Sequence, residues 1–370
     1  MNPELNSDKN NTVLLAMSGG TDSSVAAILL QNKNYQLKGM TFRSYDSISK
    51  ACMEKETGCC SVDSIFEAKK LAENLGFSHE ILDIREEFDN TVINDFINQY
   101  LSGLTPNPCV VCNKVIKWGR MIKEADRLNC DFLATGHYAQ IIYENGRYFI
   151  RKGADENKDQ SYFLWTLSQD NLSRTIFPLG YLTKDQVREI ARENNYEKIA
   201  DKKESQEICF IPDDDYRSFL RERIPDIDDK IGPGDYIDTE GEIIGQHNGY
   251  PFYTIGQRKG LNIAMGYPVY VLNIDAETNT ITLGKREELL STELEIESIN
   301  LMKYESIPEN MKAVCKIRYN NRGEECIINQ IDNKITIKFL NPVSAITPGQ
   351  SAVIYEGEDI IAGGIISKIL

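Results

Sequence analysis

The sequence predicts an α/β protein with an amino-terminal parallel-sheet domain, a small central β domain and a carboxy-terminal β-barrel. The chain has 370 residues, which exceeds the usual size of one domain. From Thr12 to about Leu133, strand-like and helix-like segments alternate, which is typical of a parallel sheet covered by helices. From Gly232 onward, short β-rich runs are separated by glycine, aspartate and asparagine turns, as in small barrels.

Each element of the first half is predicted from its hydrophobic period. Short apolar runs predict strands, and apolar residues three or four positions apart predict the helices between them. In chain order these segments are "TVLLAM", "SSVAAILLQNK", "QLKGMTF", "SIFEAKKLAENLG", "HEILDI", "NDFINQYL", "KVIKWGRMIKEADRL" and "DFLAT". A hairpin turning at Asn145 and Gly146 follows, and then two helices, the second opening with a capping box of Thr183 and Gln186.

The second half divides into two predicted β domains. Its runs include "YIDTEGEIIG", "VYVLNIDAETNTITLG", "AVCKIRYNNRGEECIINQIDNKITIKF" and "QSAVIYEGEDIIAGGII". An acidic, proline-containing stretch near Pro225 to Lys230 and a second stretch near Glu287 to Glu293 are candidate boundaries. We expect three domains, formed by residues 1–212, 213–288 and 289–370.

Composition and charge narrow the classes of function. No apolar stretch is long enough to cross a bilayer, and the polar start "MNPELNSDKNN" is unlike a signal peptide, so we predict a soluble, cytoplasmic protein without a membrane partner. The net charge of −15 argues against indiscriminate attraction to nucleic acid but is compatible with a local basic groove. Nine cysteines without a secretory signal indicate thiols, metal ligands or catalytic groups rather than a disulfide framework.

A glycine-rich turn, "AMSGGTDSS", joins the first strand to the first helix. Such a turn presents backbone N–H groups to an anion at a helix N-terminus, where the dipole also favours negative charge. Ser18 to Ser24 therefore predict a phosphate cradle, in which Asp22 is a candidate ligand for a phosphate-bound Mg²⁺. There is no Walker-type Gly-Lys-Ser/Thr and no Gly-x-Gly-x-x-Gly after a strand.

Two further segments carry cysteines. "TPNPCVVCNKVIKWG" places Cys109 and Cys112 on a proline-containing loop that enters a helix, where the helix N-terminus and Lys114 favour a Cys112 thiolate. "ESQEICFIP" places Cys209 in a short extended run. From spacing alone, the first pair could also be half of a zinc site or an idle dithiol, and Cys209 a buried structural residue.

Six motifs in order resemble the bacterial tRNA-specific 2-thiouridylases, the MnmA family of PP-loop ATP pyrophosphatases: "SGGTDSS", "NPCVVCN", "ATGHYA", "NKDQSYFLWTL", "SQEICFI" and "TPGQSAVIY". The resemblance runs from about Val13 to the C-terminus. It implies a PP-loop (adenine nucleotide alpha hydrolase-like) domain, a central β domain and a tRNA-contacting β-barrel. It also implies thiolation of C2 of the wobble uridine in certain tRNAs, with ATP, Mg²⁺ and sulfur relayed from a cysteine desulfurase.

The same resemblance assigns roles to individual residues. Cys209 resembles the persulfide carrier and Cys112 its partner nucleophile, and Asn107, Pro108 and Cys109 line the target base. The implied ATP contacts are Ala16, Met17, Ser18, Gly19, Gly20, Thr21, Asp22, Ser23, Ser24, the Met40 to Phe42 strand end and Gly136. The implied tRNA contacts are His137, Lys158, Asp159, Gln160, Arg318, Tyr319 and Gln350.

The chemistry of uracil is consistent with these roles. Its C2 carbonyl is a poor electrophile, so adenylation of the oxygen must precede attack by sulfur. If Cys209 carries a persulfide, Cys112 can release the terminal sulfur and leave a Cys112–Cys209 disulfide that is reduced between turnovers. Many relatives have aspartate in place of Cys109, so an alternative is a [4Fe-4S] cluster on Cys109, Cys112 and Cys209.

Other readings of the sequence stay open at this stage. Cys52, Cys59 and Cys60 could form a zinc site with His79, but the pattern favours packing or a local turn. A PP-loop ligase that amidates a small metabolite would not need Cys112 and Cys209. A non-catalytic RNA- or metal-binding module would consume no ATP.

Overall fold

The computed structural model describes residues 11–45, 62–202, 208–211 and 215–370. Its first sheet has five parallel strands in the order β3-β2-β1-β4-β7. The central residues of β1 are fully buried, because helices cover both faces of the sheet. The strands are β1 (Thr12–Ala16), β2 (Gln36–Arg43), β3 (Ser78–Asp83), β4 (Phe132–Ala134) and β7 (Thr175–Ile176).

The helices occupy the predicted places between these strands. Two of the helical runs contain π-helical turns, which continue directly into α-helix on either side. The π turns are Asp89–Ile93 and Asn113–Arg120. The α-helices are α1 (Thr21–Asn32), α2 (Val62–Leu75), α3 (Arg85–Phe88), α4 (Asn94–Leu101), α5 (Pro108–Cys112), α6 (Met121–Arg127), α7 (Gln169–Ser173), α8 (Lys184–Glu193), α9 (Glu197–Ala200), α10 (Tyr216–Arg223) and α11 (Ile227–Ile231).

Two further sheets follow. A four-stranded sheet has the order β10-β11-β8-β9, and six antiparallel strands close into a barrel through the pairing of β12 with β17. The first comprises β8 (Gly234–Ile237), β9 (Ile243–His247), β10 (Tyr270–Asp275) and β11 (Thr280–Gly284). The barrel comprises β12 (Leu290–Leu301), β13 (Met311–Lys316), β14 (Glu324–Ile331), β15 (Lys334–Ser344), β16 (Ser351–Glu356) and β17 (Asp359–Ile369).

The predicted hairpin joins the barrel sheet rather than the parallel sheet. It consists of β5 (Ala139–Glu144) and β6 (Arg147–Lys152), and β6 lies beside β17. Arg151 donates to Asp359 at 2.6 Å, and Lys303 donates to the same carboxylate at 2.8 Å. The hairpin therefore attaches the first domain to the barrel.

The structure confirms the predicted fold class, the hairpin turn and the capping box at Thr183. Short 3₁₀ turns, Ser161–Leu164, Tyr250–Phe252 and Arg286–Leu289, complete the elements. The division at residues 212 and 288 stays a prediction. Among the residues that the structure describes, no helix combines the length and apolar character needed to cross a membrane. Cys52, Cys59 and Cys60 lie outside the described residues.

Candidate active site

One cavity of about 390 Å³ collects the predicted motifs. It opens beyond the carboxyl ends of β1 and β2, where parallel α/β sheets bind their ligands. The glycine-rich turn lines one side, and Phe42 and Gly136 lie beside it. Cys109, Cys112 and Cys209 line the same cavity. The nucleotide motif and the three cysteines, which are far apart in sequence, therefore share one site.

The glycine-rich turn has the shape of an anion cradle. Gly19 has φ +69°, and a Cβ atom there would lie 2.0 Å from the Ser64 carbonyl oxygen, so the turn requires glycine. Gly20 is the N-cap of α1 and makes no side-chain cap hydrogen bond. The Ser18 N–H donates to Ser23 Oγ at 3.2 Å, and the Ser24 hydroxyl donates to the Gly20 carbonyl at 2.9 Å. These bonds hold the turn open toward the cavity.

Gly136 closes the other side of the cradle. A Cβ atom at this position would lie 3.0 Å from Ser23 N and 3.0 Å from the Asp22 carbonyl carbon. A larger residue would therefore push the turn after β4 away from the start of α1. Thr21, predicted as an ATP contact, instead donates its hydroxyl to the Ile199 carbonyl at 2.6 Å and ties α1 to α9.

Asp22 is held by two donors from distant parts of the chain. Tyr138 Oη donates to Asp22 Oδ1 at 2.7 Å, and Lys184 Nζ donates to the same oxygen at 2.8 Å. The Lys184 side chain is 8% exposed, whereas that of Asp22 is 35% exposed and borders the cavity. Among the described lining residues, Asp22 is the one carboxylate, so it is the residue that would hold Mg²⁺ against nucleotide phosphates.

The first two cysteines are presented by α5, whose first residue is Pro108. Cys109 opens to the cavity, whereas the surrounding protein desolvates its thiol and raises the pKa; nearby Lys117 partly opposes this rise. Cys112 lies one turn further on and is half-buried. The prediction that the two cysteines lie on a loop before the helix was wrong, because the helix already begins at Pro108 and Cys112 lies inside the helical run rather than at its N-terminus. No group of three His, Cys, Asp or Glu side chains within the described ranges could hold a metal ion, so the arrangement does not fit the [4Fe-4S] alternative.

A lysine and a histidine line the cavity beside Cys109. Lys117 Nζ lies 3.2 Å from His137 Nε2, and the other ring nitrogen of His137 lies 2.7 Å from the Thr135 hydroxyl. Burial and the Lys117 charge lower the pKa of His137 well below its ordinary value, so the imidazole is neutral near pH 7. His137, implied as a tRNA contact, is therefore a buried cavity residue.

The remaining implied tRNA contacts of the first domain lie at or near this cavity. Gln160 lines it, and its side-chain oxygen accepts from Tyr138 N at 3.1 Å. Asp159 is buried and accepts bonds from Gly153 N and Ser161 N, each at 3.1 Å, so it stabilises its own turn. Lys158, on the same turn, is half-exposed.

The implied contacts of the barrel lie outside the cavity lining. Arg318 is exposed, and its guanidinium donates to the Ser344 carbonyl at 2.7 Å. The Tyr319 ring lies 4.6 Å from that of Phe163, which lines the cavity. Gln350 bonds the chain just before α5.

Sequence reasoning missed three residues that shape the site. Lys117 is one of four basic residues at helical spacing, Lys114, Lys117, Arg120 and Lys123, a pattern that is typical of a solvated face and does not single out one lysine. Lys184 follows the helix N-cap Thr183, where nothing in the local pattern indicates a partner 162 positions away. Tyr138 directly follows His137 in a motif that was noted, but its bond to Asp22 depends on the tertiary fold.

The parallel sheet and the cradle at the start of α1 define an enzyme of the PP-loop superfamily. Family models match three consecutive parts of the chain: a tRNA methyl transferase HUP domain over residues 11–213, a tRNA methyl transferase PRC-barrel domain over 217–285, and an aminomethyltransferase beta-barrel domain over 291–366.

Curated relatives extend this similarity along nearly the whole chain. A tRNA-specific 2-thiouridylase MnmA from Amoebophilus asiaticus is 49% identical over 359 residues, covering 97% of this chain and 96% of that protein. The MnmA protein of Cytophaga hutchinsonii is 50% identical over 361 residues, covering 97% and 98%. That of Salinibacter ruber is 48% identical over 365 residues, covering 98% and 95%. This chain belongs to the family of tRNA-specific 2-thiouridylases, MnmA.

Proposed function

We propose that this protein uses ATP to replace the C2 oxygen of a tRNA wobble uridine with sulfur. Family membership supports the reaction class. The observation that carries the proposal is that the phosphate cradle and the three cysteines line one cavity. Such an arrangement lets one bound pyrimidine meet both an activating phosphate and a sulfur donor.

The first step is adenylation. The uracil C2 oxygen attacks the α-phosphorus of ATP, an O–P bond forms, and pyrophosphate leaves. The N–H groups at the start of α1 bind the phosphates. Lys117, which lines the cavity, stabilises the negative charge that develops on the phosphate oxygens. Mg²⁺ bound through Asp22 would neutralise phosphate charge.

The second step transfers sulfur. A Cys209 persulfide holds the terminal sulfur, and the Cys112 thiolate attacks the inner sulfur. A Cys112–Cys209 disulfide forms, hydrosulfide is released and attacks C2, and AMP leaves with the former C2 oxygen. An external dithiol then returns the two electrons that reduce the disulfide. Both cysteines line the cavity, as this order of reaction steps requires.

The substrate and the sulfur donor come from outside the chain. Asn107, Pro108 and Cys109 are proposed to contact the target base, and Gln160 and Lys158 the neighbouring tRNA. We propose a cysteine desulfurase relay as the source of the Cys209 persulfide. No step is assigned to an iron–sulfur cluster, because the described cysteines do not form a metal-binding group.

The test is formation of 2-thiouridine in unmodified tRNA, measured by nucleoside mass spectrometry with ATP and a persulfide donor. Cys112→Ser and Cys209→Ser should each abolish thiolation, whereas free sulfide should partly rescue Cys209→Ser. Cys130→Ala, at a buried cysteine outside the cavity lining, is the control.

Each alternative predicts a different result. An amidating ligase would keep its activity in both serine variants and form no 2-thiouridine. A non-catalytic binding module would release no pyrophosphate in the presence of tRNA. Iron and acid-labile sulfide in anaerobically purified protein, together with loss of thiolation when both are removed, would overturn the persulfide route.

A further inference from the structure

The segment that leads into the cysteine-bearing helix α5 forms hydrogen bonds with both carboxy-terminal domains. We name residues 102–107 the approach loop, because they lead from α4 into α5. On one side, Tyr250 Oη donates at 2.6 Å to the carbonyl of Leu101, the last residue of α4 before the loop. On the other side, the barrel turn of residues 347–350 lies against Thr105. The approach loop is therefore the place where all three parts of the chain meet.

The barrel turn makes a dense set of backbone contacts with the approach loop. Thr105 N donates to the Pro348 carbonyl at 3.2 Å. Gln350 Nε2 donates to the Thr105 carbonyl at 3.2 Å and to the Pro106 carbonyl at 2.8 Å. Gly349, at φ +90°, lies close against the approach loop. A Cβ atom at this position would lie 2.9 Å from the Thr105 carbonyl oxygen.

We infer that Gln350 is a positioning residue that sets the place of α5, and with it Cys109 and Cys112, from the barrel. The Gln350 amide nitrogen donates to the carbonyls of Thr105 and Pro106, which lie four and three residues before Cys109. Pro106 and Pro108 stiffen the intervening backbone, so a displacement at Thr105 is passed to the first turn of α5. Occupation of the barrel by tRNA would then act on the cysteines through this amide.

This inference differs from the role that resemblance implies for Gln350, a direct tRNA contact. Both hydrogens of its amide nitrogen are engaged by the chain itself. The part of the inference that concerns tRNA rests on the proposed function, whereas the positioning of α5 does not. The two roles therefore predict different behaviour of the enzyme without tRNA.

The test is the alkylation rate of each cysteine by iodoacetamide, measured by peptide mass spectrometry on the full chain without tRNA or ATP. Gln350→Glu removes both donors and turns a carboxylate toward two carbonyl oxygens. We expect the rate at Cys112 to rise by about threefold to tenfold, the range that loss of a hydrogen bond allows. Cys209, on a separate segment, is the internal reference.

Gln330→Glu is the matched control, because Gln330 is a barrel glutamine bonded to Ile307 N at 3.0 Å and lies away from the approach loop. It should leave the cysteine rates unchanged. Gln350→Ala, which adds no charge, should raise the Cys112 rate in the same direction and decides the matter if Gln350→Glu does not fold. In thiolation assays, Gln350→Ala should lower kcat with little change in the KM for tRNA.

The inference is overturned if alkylation of Cys112 in both Gln350 variants matches that of Gln330→Glu, with a weaker affinity for tRNA as the main change. That outcome would establish direct contact. A protein that forms no 2-thiouridine but shows the raised Cys112 rate would refute the proposed function and leave the positioning role intact.

Discussion

The ion pair between Lys184 and Asp22 offers a sharp test of how the site is held together. Lys184 Nζ lies 2.8 Å from Asp22 Oδ1, and the two residues are joined across 162 positions. In Lys184→Met the Asp22 carboxylate keeps the Tyr138 hydroxyl but loses its cation. We expect the loss to destabilise the first domain and to weaken ATP binding at the cradle.

The magnitude follows from the burial of the two partners. Breaking a fully buried pair costs about 3–5 kcal/mol, because a charge is left uncompensated. Here the Lys184 side chain is 8% exposed but that of Asp22 is 35% exposed, so water screens part of the interaction. We therefore expect a coupling free energy of about 2 kcal/mol, below the fully buried range. Exposed pairs give about 0–1 kcal/mol.

A double-mutant cycle measures this coupling. Lys184→Met, Asp22→Asn and the double variant are unfolded in urea and followed by tryptophan fluorescence, because the two tryptophans are buried in the first domain. The exposed pair of Arg192 and Asp201, 2.9 Å apart on the same part of the chain, is the control cycle. A coupling for Lys184 and Asp22 no larger than that of the control pair would refute the reasoning.

Three further predictions follow from single contacts. Gly19→Ala should destabilise by more than about 2 kcal/mol and abolish ATP binding in calorimetry, whereas Gly76→Ala, at φ +78° with open space around it, should cost only about 1 kcal/mol. Tyr138→Phe removes the hydroxyl bonded to Asp22 and should cost about 1 kcal/mol in urea unfolding, and an unchanged free energy of unfolding would contradict a stabilising role for this bond. His137 has a pKa well below its ordinary value of 6.5, so its contribution to stability is full above pH 6.5 and is lost as pH falls, at about 1.4 kcal/mol per pH unit. His137→Gln should therefore flatten the acid side of the stability curve relative to the parent protein, and an unchanged slope would contradict the lowered pKa.

The alternating half of the chain was predictable because its signals are local. The hydrophobic period predicts strand β1 and helix α1, and the residue types between them predict the glycine-rich turn. The capping box at Thr183 is likewise predicted from four consecutive residues, Thr183 to Gln186. The π turn Asn113–Arg120 was not predicted, since its residues have an ordinary helical pattern.

Long-range contacts were the part that local pattern could not supply. The hairpin was predicted at Asn145, but its pairing with β17 depends on a strand more than two hundred positions later. The number of residues between Cys112 and Cys209 likewise does not indicate how far apart they lie in the folded protein. Their shared cavity was expected only from the chemistry of the resemblance, and the fold brings them to it through α5 and the segment 208–211.

The hairpin's place beside the barrel bears on how pieces of these proteins could be exchanged. Barrel residues bond to the first domain at several points: Asn300 donates to the carbonyls of Trp165 and Leu167, and Arg147 donates to that of Met302. A chimera that takes its barrel from a relative and is cut near Leu290 would separate β6 from the partner strand it evolved with. Grafts that carry residues 139–169 together with the barrel should stay soluble, whereas grafts cut at the apparent domain border should leave a bare strand edge and aggregate.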